Sequence, residues 1–195
     1  MGYSLSWLAF RGVSPEAAMQ RLHLTDTGQT VEYASAPVAG QALPDGWHLV
    51  VATRCDHPLV SPEALRLLSE GSEVVACSIE EHVMFSSAER WTDGERVWRI
   101  EHASERSRRD IDVEGLAPES LQAALDRASK QQDAEDSSAA EVDYFFEVPL
   151  DVARSIAGFK HDEGVGSSGD RFIEYSFRPR AEAAGRHKKW WQFWR

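Results

Sequence analysis

The sequence predicts an α+β fold, a mostly antiparallel sheet with three or four helices packed on it. Short apolar runs rich in strand-forming residues are followed at once by helix start signals. Two longer runs of the same kind flank Asp93-Gly94, the dipeptide that most strongly indicates a β-hairpin. With 195 residues, of which 42% are hydrophobic and 10% aromatic, the chain is long enough to bury one core.

The first two helices are predicted from the same pentapeptide. Val13–Ala17 and Val60–Ala64 both read VSPEA, in which serine suits a helix N-cap, proline the first helical position and glutamate the helix dipole. Each follows a predicted strand, SLSWLAFR at Ser4–Arg11 and WHLVVATR at Trp47–Arg54. An internal duplication would also explain the repeat. We favour the interpretation that two separate helices use the same efficient start signal.

The middle of the chain predicts a central hairpin that turns at Asp93-Gly94. A regular two-residue turn pairs Trp91 with Arg96 and Glu89 with Trp98, and continues to Ser87 with Ile100 and Phe85 with His102. In that register five apolar side chains share one face, namely Val83, Phe85, Trp91, Trp98 and Ile100. This face is expected to be core or the wall of a cleft.

The second half of the chain predicts two more helices and two strands. A helix is expected at Pro118–Asp133 and another that starts near Pro149 and ends at Gly158. The strands are expected at Tyr144–Val148 and Arg171–Phe177. Between the first of these helices and the strand at Tyr144–Val148, residues 133–143 contain five acids and no base, which indicates a solvated acidic linker within a single domain of residues 1–180.

The charge is distributed unevenly. Residues 178–195 contain six cations and one acid, a net charge of +5, so the total of −11 leaves −16 on residues 1–177. An acidic body repels the phosphates of nucleic acid and attracts basic proteins.

The two cysteines are too few for a disulfide framework, and neither a leader peptide nor an apolar span is recognisable, so a cytoplasmic location is expected.

Residues 181–195 form a basic, tryptophan-rich C-terminal tail that ends in KKWWQFWR. If its end is helical, Trp190, Trp191 and Trp194 lie on one side. Eight residues do not hold a helix alone in water, so the tail is expected to dock on its own body, on a partner protein or weakly on a membrane surface. Its candidate binding residues are Lys188, Lys189, Trp190, Trp191, Phe193, Trp194 and Arg195.

A catalytic alternative rests on the hairpin. Ser87 and His102, with Glu89 or Glu101, contain the residue types of a hydrolase site. Such a site would lie in a cleft along the hairpin, with these candidate residues: Phe85, Ser87, Glu89, Trp91, Trp98 and His102.

No metal or cofactor is expected. Cys55 and Cys77 stand 22 residues apart, unlike the closely spaced pairs of zinc sites, although His57 and His82 are of a suitable type. The glycine-rich segment 164–169 is followed by Asp170 where a phosphate-binding loop requires lysine. Alternating Asp110, Asp112 and Glu114 indicate a solvated strand edge.

These observations favour a non-enzymatic cytosolic protein-binding module, in the manner of an immunity or antitoxin protein that binds a basic partner. A small hydrolase and a peripheral membrane protein that docks through its tail are the alternatives. Binding of nucleic acid is disfavoured by the acidic charge.

Overall fold

A computed structural model of the chain describes residues 2–135, 142–163 and 171–178. These residues contain a nine-stranded, wholly antiparallel sheet and four α-helices. The predicted α+β class, with a mostly antiparallel sheet and three or four helices, is therefore confirmed. Two short 3₁₀ turns, Pro44–Gly46 and Pro58–Val60, complete the regular structure of the described residues.

The sheet is ordered β2-β9-β3-β4-β1-β5-β6-β7-β8, which places β1 at its centre. The strands are β1 (Ser4–Arg11), β2 (Leu24–Val31), β3 (Val38–Ala42), β4 (His48–Ala52), β5 (Glu73–Glu80), β6 (Phe85–Thr92), β7 (Glu95–Ala103), β8 (Asp112–Gly115) and β9 (Phe172–Phe177). The helices are α1 (Pro15–Arg21), α2 (Pro62–Leu68), α3 (Ser120–Glu135) and α4 (Glu147–Ala157).

The helices divide between the two faces of the sheet. Side chains alternate along a strand, so Trp7 and Ala9 of β1 pack in one core cluster with residues of α3 and α4. Leu8 and Phe10 pack in a second cluster with residues of α1 and α2. We refer to these sides of the sheet as the α3/α4 face and the α1/α2 face.

Both predicted helix starts are confirmed. The hydroxyl of Ser14 accepts a hydrogen bond from the amide of Ala17 at 3.3 Å. Ser61 does the same for Ala64 at 3.3 Å, and a proline follows each serine. Both helices contribute to the same core cluster, so α1 and α2 lie on one face of the sheet.

The predicted hairpin turn is confirmed, but most of its register is wrong. Asp93 and Gly94 have φ of 51° and 80°, as a two-residue type I′ turn requires. Trp91 pairs with Arg96 as predicted, but Arg90 then pairs with Trp98 because Val97 is an extra residue, a β-bulge. The predicted pairs Glu89–Trp98, Ser87–Ile100 and Phe85–His102 are replaced by Glu89–Arg99, Ala88–Ile100 and Ser86–His102.

The bulge also separates the apolar residues that were expected to share one face. Trp91 belongs to the core cluster of the α1/α2 face. Trp98 and Ile100 belong to the cluster of the α3/α4 face. One extra residue in β7 changes which side of the sheet the later residues occupy, because side chains alternate with a period of two.

The strand predicted at Tyr144–Val148 is also wrong, since α4 already begins at Glu147. One carboxylate oxygen of Asp143 accepts hydrogen bonds from the amides of Phe145 and Phe146, at 3.1 and 3.3 Å. These bonds turn the chain just before the helix, as a capping side chain does. The predicted helix end at Gly158 is confirmed, and this glycine has φ of 72°.

Several predicted features lie wholly or partly outside the described residues. They are the tail, with all seven of its candidate binding residues, the glycine-rich segment 164–169 with the following Asp170, and residues 136–141 of the acidic linker. At the two ends of the linker, α3 continues to Glu135 and Asp143 is buried.

Within the described part of the chain, no helix has the length and apolar character needed to cross a membrane.

Candidate functional site

The structure divides the six predicted cleft residues between the two faces of the sheet. Trp91 lies on the α1/α2 face, and strand alternation places Phe85, Ser87 and Glu89 on that face as well. Trp98 lies on the α3/α4 face, and so does His102 by the same alternation. Ser87 and His102 therefore project to opposite sides, and no joint site forms between them.

Glu89 is the one predicted cleft residue with a perturbed carboxyl group. Burial raises the pKa of Glu89, although the hydrogen bond from Trp91 and the charges of Arg96 and Arg99 oppose the shift. The indole nitrogen of Trp91 donates to this carboxylate at 2.9 Å. Perturbed carboxyl groups are frequent at active sites, but the neighbour across the ladder is Arg99 and not a nucleophile.

His102 belongs to a buried polar pair that the sequence did not reveal. Its Nε2 lies 3.0 Å from a carboxylate oxygen of Asp143, and both side chains are almost fully buried, at 0% and 4% exposure. Its Nδ1 lies 2.7 Å from the backbone oxygen of Asp110. Both ring nitrogens are occupied by these buried contacts, so His102 is not placed to act as a general base toward a substrate.

Asp143 is the charged partner in this pair. Burial raises the pKa of Asp143, but hydrogen bonds and charge from His102, with further hydrogen bonds from Ser104 and Phe146, lower it more, so the net shift is downward. The carboxylate is therefore favoured as the ionised form. It joins the start of α4 to the end of β7, and the buried hydroxyl of Ser86 adds a 2.7 Å bond to the backbone oxygen of Phe146.

A pocket of about 590 Å³ lies beside this pair on the α3/α4 face, and four carboxylates and two cations line it. Lys160, whose side chain is 10% exposed, lies 2.6 Å from Glu147 and 3.1 Å from Asp151. Asp151 also pairs with Arg127, and Glu81 lies 3.0 Å from the buried His161. The sixth lining charge is Asp143, so each lining charge has an internal partner.

Lys160 is held as an ammonium ion. Burial lowers the pKa of Lys160, but the hydrogen bonds and charges of Glu147 and Asp151 raise it more, and the net shift is upward. An amine nucleophile needs the opposite shift. The pocket therefore resembles a set of structural ion pairs that fix α4 on the sheet more than a catalytic centre.

Outside this pocket, the described residues include many carboxylates whose charge no cation neutralises. Most cations of the described residues pair with acids. The paired cations are Arg11, Arg54, Arg66, Arg90, Arg96, Arg99, Arg106, Arg109, Arg127, Arg154 and Lys160. Many exposed carboxylates make no ion pair with another described residue, namely Glu16, Asp26, Glu32, Asp45, Glu63, Asp93, Glu95, Glu105, Asp112, Glu119 and Asp126. We call this set the unpaired carboxylates.

The described residues contain no group of three or more His, Cys, Asp or Glu side chains that could hold a metal ion. Both cysteines are free thiols. Burial, with smaller contributions from Glu80 and Asp56, raises the pKa of Cys55 to about 11, and burial raises that of Cys77 well above its usual value. Metal ligation uses the thiolate, which these surroundings disfavour.

The predicted strand edge lies at β8. Asp112 and Glu114 are exposed on this edge strand, whose only strand neighbour in the described sheet is β7. Asp110 and Glu114 bind Arg106 and Arg96, respectively.

Comparisons with family models, with curated proteins and with solved structures found no match for this chain.

Proposed function

We propose that the chain is a non-enzymatic protein-binding module that binds a basic partner protein. The observation that carries this proposal is the set of unpaired carboxylates. They are exposed, and most cations of the described residues are already paired with other acids. The negative field is therefore directed to solvent, where it attracts a positively charged surface and speeds its association.

The geometry of the polar residues supports binding over hydrolysis. Ser87 and His102 lie on opposite faces, and both nitrogens of His102 already face oxygen acceptors. Nucleophilic catalysis needs a nucleophile within hydrogen-bond distance of its base. The hydrolase alternative is thus left without its central contact.

The cytoplasm is the compartment that we propose for this interaction. Cys55 and Cys77 are both free thiols, and a reducing compartment keeps such thiols unoxidised. The strongly acidic body also suits a protein that must stay soluble until it meets a basic partner.

The test is affinity capture from native extract with two variants matched in position. One carries Gln in place of Glu32, Glu95, Glu105 and Glu119, which changes the net charge from −11 to −7. The control carries Asp at the same four positions and keeps the charge. We expect the wild type and the control to retain a stoichiometric basic protein, and the Gln variant to retain about tenfold less, which corresponds to about 1.4 kcal/mol.

Recovery of no stoichiometric basic protein by the wild type would contradict the proposal. Equal recovery by the Gln variant and the Asp control would also contradict it, because the unpaired carboxylates would then contribute nothing to binding. All four positions are exposed, and surface substitutions of this kind usually change stability by no more than about 0.5 kcal/mol. A loss of capture would therefore report on charge.

A further inference from the structure

A smaller apolar pocket lies on the α1/α2 face, where α1 ends and α2 begins. Its volume is about 240 Å³. Leu22 and Leu59 are buried at its floor, while Leu67 and Phe177 are 36% and 49% exposed. We call it the Leu67–Phe177 groove. Because sites for drug-sized molecules usually measure about 300–1,000 Å³, this groove better suits one inserted side chain.

The C-terminal segment leaves the described structure at the wall of this groove. Phe177 is both the last residue of β9 and a lining residue. Arg178 is still anchored, because its amide donates to the backbone oxygen of His23 at 2.8 Å and its Nε donates to the hydroxyl of Thr25 at 3.2 Å. Residues 179–195 therefore start beside the groove.

The length of this segment allows it to return to the groove. Residues 179–187 separate Arg178 from the aromatic end of the tail. Fully extended, these nine residues span at most about 30 Å. A short tether of this kind gives the tail an effective concentration in the millimolar range, so that even a weak contact is populated.

The chemistry of the two surfaces is complementary. The tail offers indole rings and adjacent ammonium groups, and the groove offers apolar side chains with Glu63 at its edge. Glu63 is exposed and makes no ion pair with the rest of the described chain. The guanidinium of Arg21, also at the edge, donates to the backbone oxygens of Leu68 and Glu70 at 2.9 and 2.8 Å and keeps its positive charge, so the attraction for the tail rests on apolar contact and not on net charge.

We propose that the C-terminal tail docks in the Leu67–Phe177 groove of its own chain. One tryptophan of residues 190–194 inserts between Leu67 and Phe177, and Lys188 or Lys189 lies beside Glu63. Burial of aromatic surface supplies the attraction, and the ion pair fixes the direction of the tail. Glu63 is one of the eleven unpaired carboxylates, so this contact leaves the other ten for the proposed basic partner.

A crosslinking experiment on the full chain tests the position of the tail. A carbodiimide joins carboxylates and amines that are in direct contact. We expect crosslinks from Lys188 or Lys189 to Glu63 within one chain, and few to Glu95 and Glu119, which are also exposed and unpaired. Crosslinks spread evenly over exposed acids, or found only in dimers, would overturn the proposal.

A double-mutant cycle tests the groove itself. We expect Leu67→Gln alone, and Trp190→Ser with Trp191→Ser and Trp194→Ser, each to lower Tm by about 2–4 °C. The combination should lower Tm no further than the larger single effect, because both changes remove the same contact. Val113→Gln, at a side chain 41% exposed on β8, is the matched control and should add independently to the tail variant.

Additive effects of the groove and tail variants would overturn the proposal, as would a tail variant with unchanged Tm. A lipid target is tested separately with vesicles of phosphatidylcholine and phosphatidylserine. If the tail is docked, Leu67→Gln should increase co-sedimentation by releasing it. Full co-sedimentation of the wild type, unchanged by Leu67→Gln, would assign the tail to the membrane surface instead.

Discussion

Replacing Asp143 with alanine is expected to lower the free energy of unfolding by about 3–5 kcal/mol, the usual cost of removing one partner from a buried ion pair. The change leaves Nε2 of the fully buried His102 without its acceptor. It also removes the acceptor of the Phe145 and Phe146 amides at the start of α4. Urea unfolding at neutral pH measures the effect.

Asp112→Ala is the control for this prediction, because Asp112 is exposed on the edge strand β8 and pairs with no described cation. It should change stability by no more than about 0.5 kcal/mol. A loss of similar size in both variants would show that the buried pair contributes nothing special.

The pH dependence of the same pair has a definite sign. The pKa of Asp143 is lowered in the folded protein, so its contribution is present above the pKa of the unfolded chain, about 3.9. That contribution is lost as the pH falls through the lower folded value. Asp143→Asn should therefore be less stable than the wild type at neutral pH, and the difference should shrink in strong acid. A constant difference across that range would argue against an ionised Asp143.

Lys160→Ala is expected to lower the free energy of unfolding by a similar amount, about 3–5 kcal/mol. This change removes the cation of a buried ion pair, whereas Asp143→Ala removes the anion. Lys160 lies between Glu147 and Asp151, which stand four residues apart on α4. Without the ammonium ion, Glu147 loses its cation beside the carboxylate of Asp151, which keeps only Arg127 as a partner. Thermal and urea unfolding measure the loss, and Lys130→Ala on the exposed side of α3 should change stability by at most about 0.5 kcal/mol.

The pH dependence of Lys160 has the opposite sign to that of Asp143. The pKa of Lys160 is raised in the folded protein, so the contribution of its charge is fully present below the pKa of the unfolded chain, about 10.4. That contribution is lost as the pH rises through the higher folded value. The deficit of Lys160→Ala relative to the wild type should therefore shrink in strong alkali, and a deficit that stays constant there would contradict this account.

The elements that were predicted correctly depend on local chemistry. Ser14 and Ser61 cap their helices through the next few residues, and Asp93-Gly94 turns the chain through its own φ preferences. Neither signal needs a distant partner. The fold class follows from such signals because alternating strands and capped helices can be read within short windows.

The elements that were missed depend on contacts across the fold. The polar strand β2, LTDTGQTV, is exposed along most of its length and exists because it pairs with β9, about 150 residues later. The aromatic residues before α4 have the composition of a strand, but the capping bonds of Asp143 turn them. A single-residue bulge at Val97 leaves no signal in composition.

Among the polar residues of the candidate site, too, some features were predicted from the sequence and others depend on contacts across the fold. His102 was recognised as a residue of interest, but its partner Asp143 was assigned to a solvated linker because it ends an acidic run. Only the packing of α4 on the sheet brings the two together, 41 residues apart. The negative charge of the body, in contrast, is additive over residues and could be read directly from the sequence.

The measurement that most directly tests the proposed function is the association rate constant of the captured basic partner as a function of salt. Raising the salt from about 0.01 M to about 1 M shortens the Debye length from about 30 Å to about 3 Å. If the unpaired carboxylates steer the partner, the rate constant should fall by about tenfold or more over this range while the dissociation rate changes little. A rate constant independent of salt would contradict the proposed role of the acidic surface.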